Sequence, residues 1–220
     1  MYKYDLHTHT SEVSPCASMS GADQARAYKA AGYTGIIITD HYYDGFFEKL
    51  GDMPWEGKIR EYYAGYRAAR EEGEAIGIDI FAGAEVTLRI YKRDFLVFGV
   101  DMEFFIKNPK LYEMNIHDFC SVVHKAGGLV FMAHPYRPEA PPEGLLEAVD
   151  GVEVYNGNPA TDNQSAKEYA NEYGLLKCSG SDAHHKDNTG LGGVIIDTRI
   201  ADVKEMASFL KNGNLKLIGI

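Results

Sequence analysis

Residues 35–39 read Gly35-Ile36-Ile37-Ile38-Thr39, and Asp40-His41 follow at once. Three consecutive isoleucines leave no polar face, so this segment reads as a central strand of a sheet covered on both sides. Further strand candidates are Lys3 to Leu6, Ile78 to Glu85, Phe95 to Val100, Leu129 to Ala133, Val152 to Tyr155 and Leu175 to Ser179. Between them, apolar residues fall at the i, i+3, i+4, i+7 spacing of amphipathic helices: Ile59, Tyr62, Tyr63, Tyr66; Ile116, Phe119, Cys120, Val123; Ala166, Tyr169, Ala170, Tyr173; and Val203, Met206, Ala207, Leu210. Gly127, Gly174 and Gly213 follow three of these stripes, where a left-handed residue favours glycine, and Asp202 with Glu205 reads as a capping box. A shorter helix is expected from Ser20 to Ala31. Asp44 to Gly57, around the only tryptophan, and Pro135 to Pro142 read as loops. Strands alternating with helices predict βα units around a parallel sheet, and 220 residues suffice for one domain, residues 1–220, as large as a complete α/β barrel.

Composition narrows the function classes. There are 22 basic against 32 acidic residues, a net charge of −10, which suits a polyanion poorly and predicts no extended nucleic-acid partner. Cys16, Cys120 and Cys178 are odd in number and widely spaced, the pattern of a reducing compartment. No stretch approaches the ~20 apolar residues that span a bilayer, and MYKYDLHTHT lacks a signal-peptide core. A cytoplasmic protein with no membrane contact is expected.

The residues that carry chemistry sit where strands end. His7 and His9 follow the first strand, Asp40 and His41 the second, Glu85 closes the third, His134 follows LVFMA, and Asp182 and His184 follow CSGS. In α/β barrels and open sheets those ends share one rim, so side chains distant in sequence converge there. His7 and His9 alternate with Thr8, so in an extended segment both rings point the same way. Singly, each has a plainer reading: a core histidine, a turn-forming Asp, a buried salt bridge at Glu85. Together they form a mixed nitrogen and oxygen set that suits Zn, Mn or Fe, and seven or eight ligands imply more than one ion. His117 and His124, the Glu71, Glu72, Glu74 run and the Tyr62, Tyr63, Tyr66 stripe read as solvated face or core, outside any site.

The order HTH, TDH, a lone Glu, AHP and SDAH resembles the PHP family, named for polymerase and histidinol phosphatase domains, from about Leu6 to Gly193. The resemblance implies a distorted seven-stranded, TIM-barrel-like α/β barrel with two or three metal ions at its C-terminal rim, and phosphoester hydrolysis. Carried onto this chain, it makes His7, His9, Glu85 and Asp182 ligands of one ion. Glu85 would bridge to a second ion also held by His134, with His41 and His184 on a third. Two positions depart from the family pattern. Ser14-Pro15-Cys16 stands where relatives place a His or Asp, leaving Cys16 as a candidate ligand or an inert thiol. Asp94 stands where relatives often place a His.

The expected function is a metal-dependent phosphoesterase acting on a small phosphomonoester through a hydroxide bridging two ions. Asp40 is a candidate proton shuttle or orienter of a ligand imidazole. Arg137 is the first candidate for a phosphate oxygen, ahead of Arg89 and Arg93. His185 reads as exposed or supporting. The alternatives are a phosphodiesterase acting on nucleotides or short oligonucleotides, and a non-catalytic metal-binding regulatory domain.

Overall fold

In the computed structural model, residues 1–142 and 144–220 are described. The chain opens β1 (Tyr2–Thr8), α1 (Gly21–Ala30), β2 (Gly35–Ile38) and the two-residue β3 (His41–Tyr42). Three helices follow, α2 (Asp44–Lys49), α3 (Trp55–Tyr62) and α4 (Ala64–Ile76), then β4 (Asp79–Ala82), β5 (Ala84–Leu88) and β6 (Arg93–Phe98). The remainder runs α5 (Met102–Lys107), α6 (Ile116–Lys125), β7 (Leu129–Met132), β8 (Gly151–Asn156), α7 (Asn163–Glu172), β9 (Leu176–Gly180), β10 (Gly193–Ile196), α8 (Val203–Asn212) and β11 (Lys216–Ile218).

The fold is mixed α/β, and its strands lie in two sheets, ordered β11-β10-β1-β2-β4 and β3-β5-β6-β7-β8-β9. Gly83 alone separates β4 from β5, and Thr39 and Asp40 separate β2 from β3, so two stretches of chain pass from one sheet into the other. At the opposite border, Thr8 and Ala183 form an isolated parallel bridge. The pairings β1–β2, β2–β4, β7–β8 and β8–β9 are parallel as expected. However, β6 is antiparallel to both β5 and β7, and β10 and β11 add antiparallel pairs beside β1. The β5–β6 connection explains the first departure: four residues, Arg89 to Lys92, cannot make a parallel crossover, which needs about a dozen or more.

The isoleucine run is buried on both faces, each for a different partner. Ile36 and Ile38 pack with Ala25, Tyr28 and Ala69 of α1 and α4, whereas Ile37 joins Leu6, Leu96, Phe131 and Cys178 in a core shared by the two sheets. On β6 the same alternation sends Leu96 and Phe98 into that shared core, and Phe95 and Val97 outward beneath the aromatic layer of Phe47, Tyr62, Phe105 and Phe119. Met206, Ala207 and Leu210 of α8 close the shared core.

Local expectations held unevenly. Ser20 caps α1 by accepting from the Asp23 amide, and Gly127, Gly174 and Gly213 all take positive φ. Asp202 accepts from the Lys204 and Glu205 amides, but Glu205 reaches back to the Ala201 amide rather than that of Asp202, so the box is not reciprocal. The tyrosine stripe spans two helices broken at Tyr63, and Asp44 to Gly57 is partly helical rather than a loop. Phe47 is 1% exposed there, and Trp55 Nε1 donates to the Phe105 carbonyl. Burial of these aromatics overrides the turn-rich composition of that segment.

Helices α1 and α4 pack almost backbone to backbone. A Cβ on Gly21 would lie 2.1 Å from the Gly65 carbonyl oxygen and 2.8 Å from the Ala69 nitrogen. Gly21→Ala is therefore expected to destabilise by ~1–3 kcal/mol through overpacking, read as a lower urea midpoint at unchanged slope. An unchanged midpoint would show that the two helices part freely.

Candidate metal centre

His7 lies on β1, His41 on β3, Glu85 on β5 and Asp94 on β6, while His9, His134, Asp182 and His184 fall just beyond the ends of β1, β7 and β9. Two local features aim them. The β1–β2 register shifts between Asp5 and Thr8, a bulge of the kind that re-aims side chains, and the His7 and His9 rings then face the same way with centroids 5.0 Å apart. His134 and Asp182 adopt φ of 29° and 52°, a left-handed backbone costing on the order of 1–3 kcal/mol that persists where the surroundings over-determine it, as at functional sites.

The nitrogens and oxygens of these residues crowd together with too few protons among them. His7 Nδ1 lies 2.9 Å from Glu153 Oε1, and His9 Nδ1 lies 3.3 Å from Ser14 Oγ, whose own proton goes to Asp40 Oδ1 at 2.7 Å. His41 Nδ1 is 2.6 Å from Glu85 Oε2, and His184 Nδ1 is 2.9 Å from the Asp182 carbonyl oxygen. Assigned from these partners, the proton of each neutral ring sits on Nδ1 and leaves a lone pair on Nε2. Those lone pairs face other lone pairs. His7 Nε2 is 3.3 Å from Glu85 Oε1 and 3.4 Å from Asp182 Oδ1, and His9 Nε2 is 3.2 Å from Asp182 Oδ1. His41 Nε2 is 3.3 Å from His184 Nε2 and 3.3 Å from Cys16 Sγ. His7 Nε2, His9 Nε2 and Asp182 Oδ1 are buried without a hydrogen-bond partner. Buried acceptors meeting acceptors are costly unless a cation lies between them, so this donor set fits metal ions.

Without metal the cluster relieves part of this crowding by holding an extra proton, which a bound cation would displace. Burial alone would strip the proton from His7, yet the Glu153, Asp182 and Glu85 carboxylates hold its pKa well above its ordinary value. His9, equally buried and beside His41, is held well below. Burial pushes Glu85 and Asp182 up, yet both stay well below the usual carboxylate range, with His7 the strongest of the influences that lower them. The Cys16 thiol, which burial would raise, is brought down to about 6 by hydrogen bonds with His184 and His41.

Among the described residues, four groupings have ligand atoms within 4.8 Å of one another: His9, His41, His184; His7, His9, Glu85; His7, His134, Asp182; and Glu85, Asp94, His134. Asp94 lies in the cluster with its Oδ2 4.0 Å from His134 Nε2, steadied by the Thr87 hydroxyl. Both oxygens of Asp40 are occupied by Thr10 and Ser14, so it faces the loop after β1 rather than the open rim. Arg137 Nη1 donates to Asp182 Oδ2 at 2.7 Å, at the edge of the cluster. Arg89 is exposed near Asp44, and Arg93 is turned to the Glu139 and Ala140 carbonyls. His185 is exposed and bonded to Ser18, its ring 6.4 Å from that of His184 at the border of the cluster, whereas His124 pairs with Asp150 and His117 is exposed.

Sequence reasoning missed two supporting carboxylates. Glu153, on β8, accepts from His7 Nδ1 and from the His134 amide, and from Asn156 Nδ2 at 2.8 Å. Asp5, on β1, accepts from the His7 and Ser181 amides and the Tyr28 and Ser181 hydroxyls, with burial lifting its pKa to about 6. Gly180 lets them close up, since a Cβ there would sit 2.4 Å from that of His7 and 2.8 Å from Glu153 Oε1.

Residues 160–215 match the PHP-associated family PHP_C, and no curated protein sequence matches the chain. A two-domain protein from Bacteroides vulgatus, containing a predicted PHP-like metal-dependent phosphoesterase, superposes with a TM-score of 0.70 at 19% identity over 98% of this chain and 64% of its own. The chain has the PHP fold. Other solved structures extend the comparison. A metal-dependent phosphoesterase, so described, from Bifidobacterium adolescentis gives 0.57 at 19% identity, covering 83% of this chain and 88% of that one. Endonuclease Q, bound to a 27-mer duplex with an abasic lesion at its active site, gives 0.66 at 15% identity, covering 98% and 58%.

The last of these overturns one expectation. Exclusion of extended nucleic acid rested on the net charge of −10, yet endonuclease Q accommodates a DNA duplex on a similar fold. Whole-chain charge averages over a surface, whereas substrate meets the local field, in which bound ions are often the largest charges. Separately, no helix among the described residues is long and apolar enough to cross a membrane.

Proposed function

We propose that this chain is a metal-dependent hydrolase of phosphoric esters. The observation that carries the reading is the buried meeting of imidazole lone pairs with carboxylate oxygens around Glu85 and Asp182, an arrangement that cations reconcile. His7, His9, Glu85 and Asp182 would hold one ion, with Glu85 shared with a second position completed by His134 and Asp94. His41 and His184 would hold a third. Divalent ions there supply Lewis acidity toward phosphoryl oxygens and a nucleophilic water at neutral pH.

The chain's own residues orient and select. Arg137, anchored on Asp182 and partly exposed, is placed to donate to a non-bridging phosphoryl oxygen. Asp40 acts through Ser14 by fixing which nitrogen of His9 carries the proton. If the two interrupted strands, β2 with β3 and β4 with β5, are each counted once, the bridge at Thr8 and Ala183 completes a ring of seven, our reading of how the distorted barrel gathers this rim.

The substrate is either a phosphomonoester or a phosphodiester of DNA, the latter favoured by the overlap with endonuclease Q across 98% of this chain. Protein loaded with Mn²⁺ or Zn²⁺ is to be tested on a phosphomonoester panel and on single-stranded and abasic duplex oligonucleotides. Chelator-sensitive release of phosphate or strand scission is expected. Turnover of neither class by protein that demonstrably holds metal would overturn the proposal in favour of a non-catalytic metal-binding domain.

A further inference from the structure

The cluster is uneven in its donors, and the unevenness is directional. One end is oxygen-rich, with Glu85, Asp94 and His134 grouped together. At the other end His9, His41 and His184 converge, and Cys16 Sγ lies 3.3 Å from His41 Nε2. His9 Nε2, fully buried and unpartnered, borders this end as well as the position of Glu85 and Asp182, with its ring 4.3 Å from that of His41 and 4.1 Å from that of His184, so it marks an unmet ligand independently of the thiol. Cys16 is exposed, whereas Cys120 and Cys178 are buried in apolar core, so this sulfur alone faces the site from the solvent side.

We propose that the centre is chemically divided: Cys16, His41 and His184 form a sulfur-containing position for a thiophilic ion such as Zn²⁺, while Glu85, Asp94 and His134 form a harder position suited to Mn²⁺ or Fe²⁺. The argument is ligand softness. A thiolate with imidazoles prefers zinc-like ions, and replacing nitrogen by carboxylate oxygen favours Mn²⁺, so metal type at each end follows donor type rather than overall affinity. The inference rests on the metal-centre reading above and concerns which ions it takes.

The test uses metals alone. Cobalt substitution of the full chain is expected to give a sulfur-to-cobalt charge-transfer band in the near ultraviolet. Cys16→Ser should lose that band and part of the bound cobalt while retaining the remainder. In the unmodified chain, one equivalent of Zn²⁺ is expected to slow labelling of Cys16 by a thiol reagent, whereas Mn²⁺ should leave it unchanged, a readout that does not depend on the variant folding. Cobalt binding without a sulfur band, an unaltered band in Cys16→Ser, or equal protection by Mn²⁺ would overturn the division while leaving the hydrolase reading intact. Failure to bind cobalt or zinc at all would overturn both.

Discussion

Glu85→Gln is expected to reduce metal-dependent hydrolysis by roughly a thousandfold or more, because Lewis-acid stabilisation of a phosphoryl transition state is worth several kcal/mol and each ~1.4 kcal/mol is a factor of ten. Among the described residues, no other side chain reaches as many of the histidines. Oε1 lies 2.9 Å from His134 Nε2 and 3.3 Å from His7 Nε2, and Oε2 lies 2.6 Å from His41 Nδ1 and 3.5 Å from His9 Nε2. The amide keeps the shape, removes the charge and turns one acceptor into a donor aimed at nitrogens that have lone pairs to give. Without metal, the surrounding imidazoles hold this carboxylate well below its usual range, so removing its charge leaves those buried rings uncompensated and the unfolding midpoint of the metal-free protein should fall. Comparing kcat/KM, bound metal and thermal midpoint separates the cases. A variant that retains hydrolysis and loses only stability would show that Glu85 is structural.

Much of this centre was legible because metal-ligand residue types interrupt otherwise apolar strands. His134 after LVFMA and Glu85 after FAGA have no ordinary reason to stand among buried residues, and both lie in the cluster. Asp5 and Glu153 were hidden by the opposite circumstance. In Tyr2-Lys3-Tyr4-Asp5-Leu6 and Gly151-Val152-Glu153-Val154-Tyr155 a charged residue alternates with apolar ones, as it would on a strand with one face in water. Only the packing of the two sheets and their helices, which covers both faces, buries those carboxylates; both are 0% exposed. The antiparallel β6 was deducible from its four-residue connection, a length signal that the strand-and-helix alternation overshadowed. By contrast, β11 has three residues, too few for periodicity to mark, while β10, an apolar run as long as β2, was passed over.

Glu153→Gln is expected to weaken metal binding by about 10–100-fold, the range found when a partner of a metal-ligating histidine is lost. Every group facing this carboxylate is a donor: His7 Nδ1 on Oε1, and the His134 amide with Asn156 Nδ2 on Oε2. A glutamine has one acceptor oxygen, which two donors claim on the Oε2 side, so its NH₂ is driven toward His7. Two donors cannot share that contact, and neutral His7 escapes by moving its proton to Nε2. That nitrogen is the one 3.3 Å from Glu85 and 3.4 Å from Asp182, so the substitution spends the lone pair that a cation needs without touching a proposed ligand. Chelator competition measures the affinity, and nitrogen chemical shifts of the His7 ring report the tautomer. Full affinity with the proton still on Nδ1 would show that Glu153 packs beneath the centre without tuning it.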